Sequence, residues 1–390
     1  MKYLIAGGYF CFFCAALYIF GRINIRSLIY GLVMLTALIL FSVFNDSSAF
    51  IDEKVASFVS YDMYKEGRFT LTFFVQYILA WIPIAVLDYE YSAHGLNIGM
   101  QAFVFMLGAQ YLFGVKASWQ LFLFSMFPSY YHYAIFGLRD PLINFVAVIV
   151  AIGALNLGRQ QFVLLCMGLS ILSIGIRPEF SLIIAGFAGL RLFFGGTRKQ
   201  KIVIGIVGLA GIYAALLVMP LAFGIGTTGS AAGNIEAMIS FNELRNARRL
   251  GGDGSGSHIL GGSLFSYPFP VRYPIQAVAS FVAPLPFEIR GQLDLLAFGE
   301  STIFCFVAAL ALRAAWKHPE ARLLFACAMA YMLLQALFAF NYGNVLRVRY
   351  PALVFFLATT VAPDVVRARA GRSARRQSHS KRARLASGPP

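Results

Sequence analysis

Charge is what this 390-residue sequence has least of: Asp, Glu, Lys and Arg make up only 13% of it, against about a quarter in soluble domains. With 59% hydrophobic residues and a mean hydropathy of +0.71, water is excluded as the main solvent of its surface. The motifs of soluble enzymes are missing too: there is no GxxxxGK[ST], HExxH, GxSxG or paired CxxC, and the histidines are scattered. The glycine runs near Gly224 and Gly251 lack the strand, helix and lysine of a phosphate-binding loop, which argues against an ATPase or a zinc hydrolase. Cysteine is scarce. Cys11, Cys14, Cys166, Cys305 and Cys327 all fall inside apolar runs, where a thiol packs as a small hydrophobe. Cys11 and Cys14 form a CxxC without a polar or cationic neighbour to favour thiolate, so neither redox chemistry nor a metal is expected of them.

What is present in abundance is long apolar runs, each near the roughly 20 residues an α-helix needs to cross ~30 Å of hydrocarbon. Short alternating segments, the mark of outer-membrane strands, are not the pattern here. Candidate spans cover residues 3–20, 28–44, 71–87, 96–113, 119–136, 142–157, 162–176, 180–194, 202–222, 293–312, 323–340 and 345–363. The expected fold is therefore all-α: a polytopic integral membrane protein with eleven or twelve transmembrane helices and one long outer loop. The first run ends at Gly21 and Arg22 without a polar spacer and small-residue cleavage site, so it reads as a retained helix rather than a signal peptide. The transmembrane domain is expected over residues 1–366, with its outer loop at about 223–292, and a disordered basic tail over 367–390.

The net charge is +15, of which Arg367, Arg369, Arg372, Arg375, Arg376, Lys381, Arg382 and Arg384 supply 8. Directly after a transmembrane helix, such a tail reads as a cytoplasmic end attracted to anionic lipid rather than as a nucleic-acid binder. The positive-inside rule places it in the cytoplasm with residues 313–322, the 198–201 turn and the Gly158-Arg159 turn. Arg139-Asp140, Arg177-Pro178-Glu179, the stretch from Phe223 to Gln292 and residues 341–349 then face outward. Counting back through twelve crossings puts the acidic loop 45–68 inside and Arg22 and Arg26 outside, against the same rule. Eleven crossings remove the conflict, and Pro128 marks the run 119–136 as the one that does not cross fully.

The outer stretch has two halves. Residues 224–262 are rich in Gly, Ser and Ala, with a short basic helix expected around Arg245, Arg248 and Arg249. Residues 265–292 are aromatic and carry Pro268, Pro270, Pro274, Pro284 and Pro286, which suits an interfacial or re-entrant segment.

Chemistry is expected from charged residues beside or within apolar runs on the outer face, where burial is costly and function is the default reading. These are Arg139, Asp140, Arg177, Glu179, Glu288, Arg290, Asp294, Glu300, Arg347 and Arg349. Any one arginine at a helix end can simply snorkel to lipid headgroups. Several retained in outer loops, against the positive-inside bias, fit a phosphate or pyrophosphate ligand, since guanidinium offers planar bidentate hydrogen bonds. Nearby carboxylates suit the role of general base toward an acceptor hydroxyl. Asp46, Asp52, Glu53 and Asp62 in the first long loop are further acidic candidates.

At these residues the chain resembles the Wzy-type oligosaccharide repeat-unit polymerases, polytopic proteins of bacterial O-antigen, capsule and exopolysaccharide assembly. The resemblance is carried by Phe127-Pro128-Ser129 through Gly137-Leu138-Arg139-Asp140, by Ile176-Arg177-Pro178, and by Ala283-Pro284-Leu285-Pro286-Phe287-Glu288 with Glu300. Asn341-Tyr342-Gly343-Asn344 with Arg347-Val348-Arg349-Tyr350-Pro351 completes it, across about 225 residues, and Arg245 with Gly256 fits an Arg-x10-Gly pattern of such outer loops. The resemblance implies a multi-pass protein of the bacterial inner membrane that moves a glycan from undecaprenyl pyrophosphate to another lipid-linked repeat unit at the outer face. It implies Arg139 and Arg177 with Glu288 or Glu300 as catalytic residues, and Asp140, Arg245, Arg290, Arg347 and Arg349 as substrate contacts. It calls for no metal and no cofactor, and implies membrane lipids and the pathway's chain-length regulator and flippase as partners, not nucleic acid. Two other functions compete. A GT-C-like glycosyltransferase using a lipid-phosphate sugar would make Asp46, Asp52 and Glu53 essential; a flippase would call for inverted repeats, which the sequence lacks.

Overall fold

The computed structural model describes residues 2–21, 23–44, 89–114, 118–127, 131, 140–173, 178–206, 234, 268–289, 291–336, 345–346 and 348–367, and every regular element among them is helical. In chain order these are α1 (Lys2–Phe20), α2 (Ile25–Phe44), α3 (Tyr89–Leu107, continued by a π-helical turn, Gly108–Phe113), α4 (Trp119–Met126), α5 (Asp140–Asn156), α6 (Arg159–Ser173), α7 (Pro178–Phe194) and α8 (residues 198–206). After the stretch at 207–267 come α9 (Phe269–Val282), a 3₁₀ turn at Pro286–Glu288, α10 (Gln292–Lys317), α11 (Pro319–Ala336) and α12 (residues 348–367). Three helical stretches, Ile25–Phe44, His94–Phe113 and Asp294–Lys317, are long and apolar enough to cross a membrane. The expected span at 71–87, most of 202–222 and the tail beyond 367 lie outside the described residues.

The run at 119–136 does not form one helix. Ser118 opens α4 by accepting the Leu121 N–H on its side chain at 3.2 Å, but Phe127 is extended (φ −74°, ψ 112°) and ends it. The ring of the following Pro128 disfavours the α conformation at Phe127, which is why an apolar run breaks there. The π-helical turn that continues α3 stops at Gly114, whose φ of +72° is a left-handed conformation that glycine adopts without strain.

α3 is the most enclosed element, packed by α1, α2 and α5. At Gly99 a Cβ would lie 2.6 Å from the Ala6 carbonyl oxygen and 2.9 Å from the Tyr9 Cβ, so the close approach of α1 and α3 requires glycine. Small residues at a helix crossing let two backbones approach closely. α6 and α7 are clasped by a reciprocal serine pair: Ser170 Oγ donates to Ser181 O at 2.9 Å and Ser181 Oγ to Ser170 O at 2.6 Å.

Ring contacts fix the directions of the C-terminal helices. Phe180 meets Tyr331, while Phe187 and Phe325 converge on the adjacent residues Phe355 and Phe356, so α7 and α11 run antiparallel. Arg349 touches Ser301 and Phe356 touches Phe304, so α12 runs parallel to α10. Arg159 donates to the carbonyls of Leu192 and Gly195, tying the start of α6 to the end of α7. Together these contacts gather four chain segments at one end of the bundle: the 157–159 turn, the 195–201 turn, residues 313–322 and the end of α12. That end carries Arg159, Arg191, Arg198, Lys199, Lys201, Arg313, Lys317, Arg322 and Arg367 against Glu320 and Asp364. Asp140, Glu179, Glu288 and Asp294 stand at or near helix starts at the opposite end. Arg26 is an exception to the segregation. The Asn24 N–H bonds to Gln110 near the end of α3, and Phe124 joins Phe105 and Phe113 of α3 to Tyr350 of α12, which puts the α1–α2 turn at the end away from the basic turns.

Candidate functional site

Of the nine site residues that the resemblance implies, Asp140, Glu288, Glu300 and Arg349 fall among those described; Arg139, Arg177, Arg245, Arg290 and Arg347 lie outside them, as do Asp46, Asp52, Glu53 and Asp62. Arg349 sits in the first turns of α12 and is 1% exposed. Its Nε donates to Ser280 O at 2.8 Å, its Nη2 to Ala283 O at 2.7 Å and more weakly to Ala279 O at 3.5 Å, and its Nη1 to Ser301 Oγ. These carbonyls close α9. The last turn of any helix leaves carbonyls without an intrahelical donor and carries partial negative charge, and a guanidinium there answers both. The Ser301 hydroxyl lies within reach of Ala283 O (2.6 Å) and Ala297 O (2.7 Å), binding the same corner to α10. The Phe304 ring flanks the guanidinium at 5.6 Å.

Arg349 was expected to face a ligand, and its donors are engaged by protein oxygens. The same device recurs elsewhere. Arg159 donates to Leu192 O (3.0 Å) and Gly195 O (2.8 Å) at the end of α7, and Arg322 to Ala315 O (3.2 Å) near the end of α10. Arg159 is half-buried and Arg322 exposed, whereas Arg349 is enclosed in the interior.

α9 is amphipathic in the inverse sense. Arg272, Gln276 and Ser280, four residues apart, form one stripe and are each 4% exposed or less, while Val271 and Val278 on another face are 47% and 63% exposed. In water this arrangement would be unfavourable on both faces; with lipid outside and a polar interior it is favourable on both. Pro270 stands in the first turn, where a missing N–H costs nothing, and Tyr273 OH anchors the helix to Leu333 O of α11 at 2.8 Å. The aromatic, proline-rich segment expected at 265–292 thus contains a helix that bridges from α11 to α10.

The buried stripe belongs to a larger polar layer. Glu300 (4% exposed) and Ser301 project from α10, Arg349 from α12, and Gln335 lies buried near the end of α11, two residues beyond the Tyr273 contact. Two guanidinium groups and one carboxylate are thereby held in the interior within the reach of one short helix, about 12 Å from Arg272 to Ser280. Arg272 and Gln276 were not anticipated from the sequence. The signal that would have found them is their four-residue spacing with Ser280 between the apolar Val271, Val278 and Phe281; the five prolines around it read as loop and hid it.

Glu288 is placed differently. It ends the 3₁₀ turn half-buried, and its Oε2 accepts the Leu285 N–H at 2.7 Å, so it shapes the turn between α9 and α10. Asp140 opens α5 and is buried on the side of α3, one helical turn from Asn144, whose Nδ2 donates to Gln101 Oε1 at 3.4 Å. The carboxylates expected to act together therefore occupy three settings: Glu300 buried on α10, Glu288 in the turn between α9 and α10, and Asp140 one helical turn from Asn144 at the start of α5. Cys14, Cys166 and Cys327 are buried and Cys305 half-buried, as packing residues are; Cys11 is exposed. Among the described residues no group of three His, Cys, Asp or Glu side chains comes together as a metal ion requires. No family model, curated protein or solved structure matches the chain.

Proposed function

We propose that this chain is a polytopic protein of eleven or twelve spans in the bacterial inner membrane, with its C-terminus cytoplasmic, that polymerises lipid-linked oligosaccharide repeat units at the outer face. The observation that supports this reading is the buried layer of Arg272, Gln276, Glu300 and Arg349, a polar interior with a basic excess beneath helices whose outer faces are apolar. In the reaction the acceptor hydroxyl oxygen bonds to the anomeric carbon of the growing glycan, and the bond from that carbon to undecaprenyl pyrophosphate breaks. Glu300, or Glu288 in the turn before α10, takes the hydroxyl proton, and the departing pyrophosphate keeps the electron pair. Arg272 joins Arg139, Arg177, Arg245, Arg290 and Arg347 in stabilising that leaving group and orienting the sugars with Asp140. Arg349 holds the end of α9 and so positions the layer. Deleting the gene and resolving the surface glycans by length tests the reading: single repeat units persist and long chains vanish if it holds, whereas loss of every glycan form, or no change, refutes it.

A further inference from the structure

The basic end of the bundle has no part in that chemistry, and its surface is unusual in being both cationic and apolar. Arg198 and Lys199 are exposed in the first turn of α8, with Lys201 half-buried beside them. A reciprocal capping pair forms that turn: Thr197 N–H donates to Gln200 Oε1 at 3.0 Å, and Gln200 N–H to Thr197 Oγ1 at 3.4 Å. Cations at a helix start are repelled by its dipole, so three of them there are unfavourable unless an outside anion compensates. Glu179, the one carboxylate of α6, α7 and α8 among the described residues, lies at the far end of α7, about 20 Å away.

Immediately beside these cations stand large apolar side chains in the open: Phe193 (41%), Phe194 (52%), Ile202 (58%) and Val203 (58%). Lys201 Nζ lies 5.7 Å from the centre of the Phe193 ring, and the Arg191 guanidinium 6.0 Å from that of buried Phe162, so cationic and aromatic groups interleave. A soluble anion answers the charge but leaves these side chains in water. A neutral lipid covers them and leaves the charge. Only an acidic phospholipid leaflet answers both.

We propose that the end of the α6–α7 hairpin and the start of α8 form a docking surface for the headgroups and upper acyl chains of acidic phospholipids. The inference rests on the membrane-protein reading and not on the glycan chemistry. It adds a second contact with the leaflet to the one expected of the basic residues beyond Arg367.

The test uses the full-length chain in nanodiscs of mixed phosphatidylglycerol and phosphatidylcholine, with the lipids retained after extraction identified by native mass spectrometry. The expected result is preferential retention of phosphatidylglycerol, reduced about tenfold or more by the combined change Arg198→Gln, Lys199→Gln and Lys201→Gln. Replacing the basic residues after Arg367 by glutamine should leave a clear preference. Equal retention of both lipids by the native chain, an undiminished preference in the triple variant, or abolition by the tail variant alone would overturn it. Competition by inorganic phosphate beyond that of chloride at equal ionic strength would assign the surface to a free anion and overturn it too. A triple variant absent from the membrane fraction signals failed insertion; single changes at Arg198 and Lys199 then carry the comparison, each expected to weaken retention severalfold, and no effect from either overturns the proposal.

Discussion

The Nε–H of Arg349 donates to the main-chain carbonyl of Ser280 at 2.8 Å, joining the first turns of α12 to the last turn of a helix nearly seventy residues earlier in the chain. Through this bond and its neighbours at Ala279, Ala283 and Ser301, one side chain holds α9, α10 and α12 in register. The polar layer exists because that corner is closed.

Replacing Arg349 by methionine keeps most of the volume and removes every donor, so Ser280 O loses its partner while Ala283 O and Ala279 O keep only Ser301 Oγ and the Ala283 N–H. A buried orphan costs roughly 1–3 kcal/mol, and with the other bonds to the guanidinium lost as well a total of about 3 kcal/mol is expected. Lysine retains the charge without the fork and should cost less, about 1–3 kcal/mol. Thermal unfolding of the detergent-solubilised variants measures both. A lysine variant of native stability that has lost all long glycans would instead make Arg349 a ligand contact.

Within the layer, Glu300→Gln removes charge at nearly constant size, and Arg272→Gln removes charge while shortening the side chain and leaving one amide. Both should reach the membrane at near-native levels and lose long surface glycans, with single repeat units retained. Full chain length in both variants removes the layer from the reaction. Alanine at Asp46, Asp52 and Glu53 should leave chain length largely intact; loss there, with Glu300→Gln active, favours a lipid-phosphate glycosyltransferase instead.

Gly99→Ala drives a methyl group into the Ala6 carbonyl and Tyr9, and the backbone cannot yield as a flexible side chain would. A loss of about 1–3 kcal/mol is expected from overpacking. Gly168→Ala, with nothing within 4 Å of its Cβ, should be neutral or slightly stabilising and serves as the control.

On the proposed membrane-protein reading, the serine clasp between α6 and α7 should be modest in energy, because helices separated within lipid find other partners. Ser170→Ala and Ser181→Ala, singly and together, should show a coupling near 0.6 kcal/mol in a double-mutant cycle. Coupling above about 2 kcal/mol would mean that the pair, rather than the packing around it, holds the hairpin.

Much of the helical order is legible in the residues alone. Apolar length and the scarcity of charge mark the helices, Pro128 marks the break after Met126, and the thiols Cys14, Cys166 and Cys327 pack as their neighbours require. These are local properties, and the chain within a few turns is enough to state them. What the tertiary structure decided is non-local. That Arg349 closes α9, and that Arg272 and Gln276 turn inward while Val271 and Val278 turn out, depends on which helices meet and in which direction. A guanidinium reads the same in sequence whether it faces lipid phosphate, a ligand or the carbonyls of a distant helix. Only the packing settles which, because desolvation forces a buried arginine to bond to whatever oxygens the fold places within its reach.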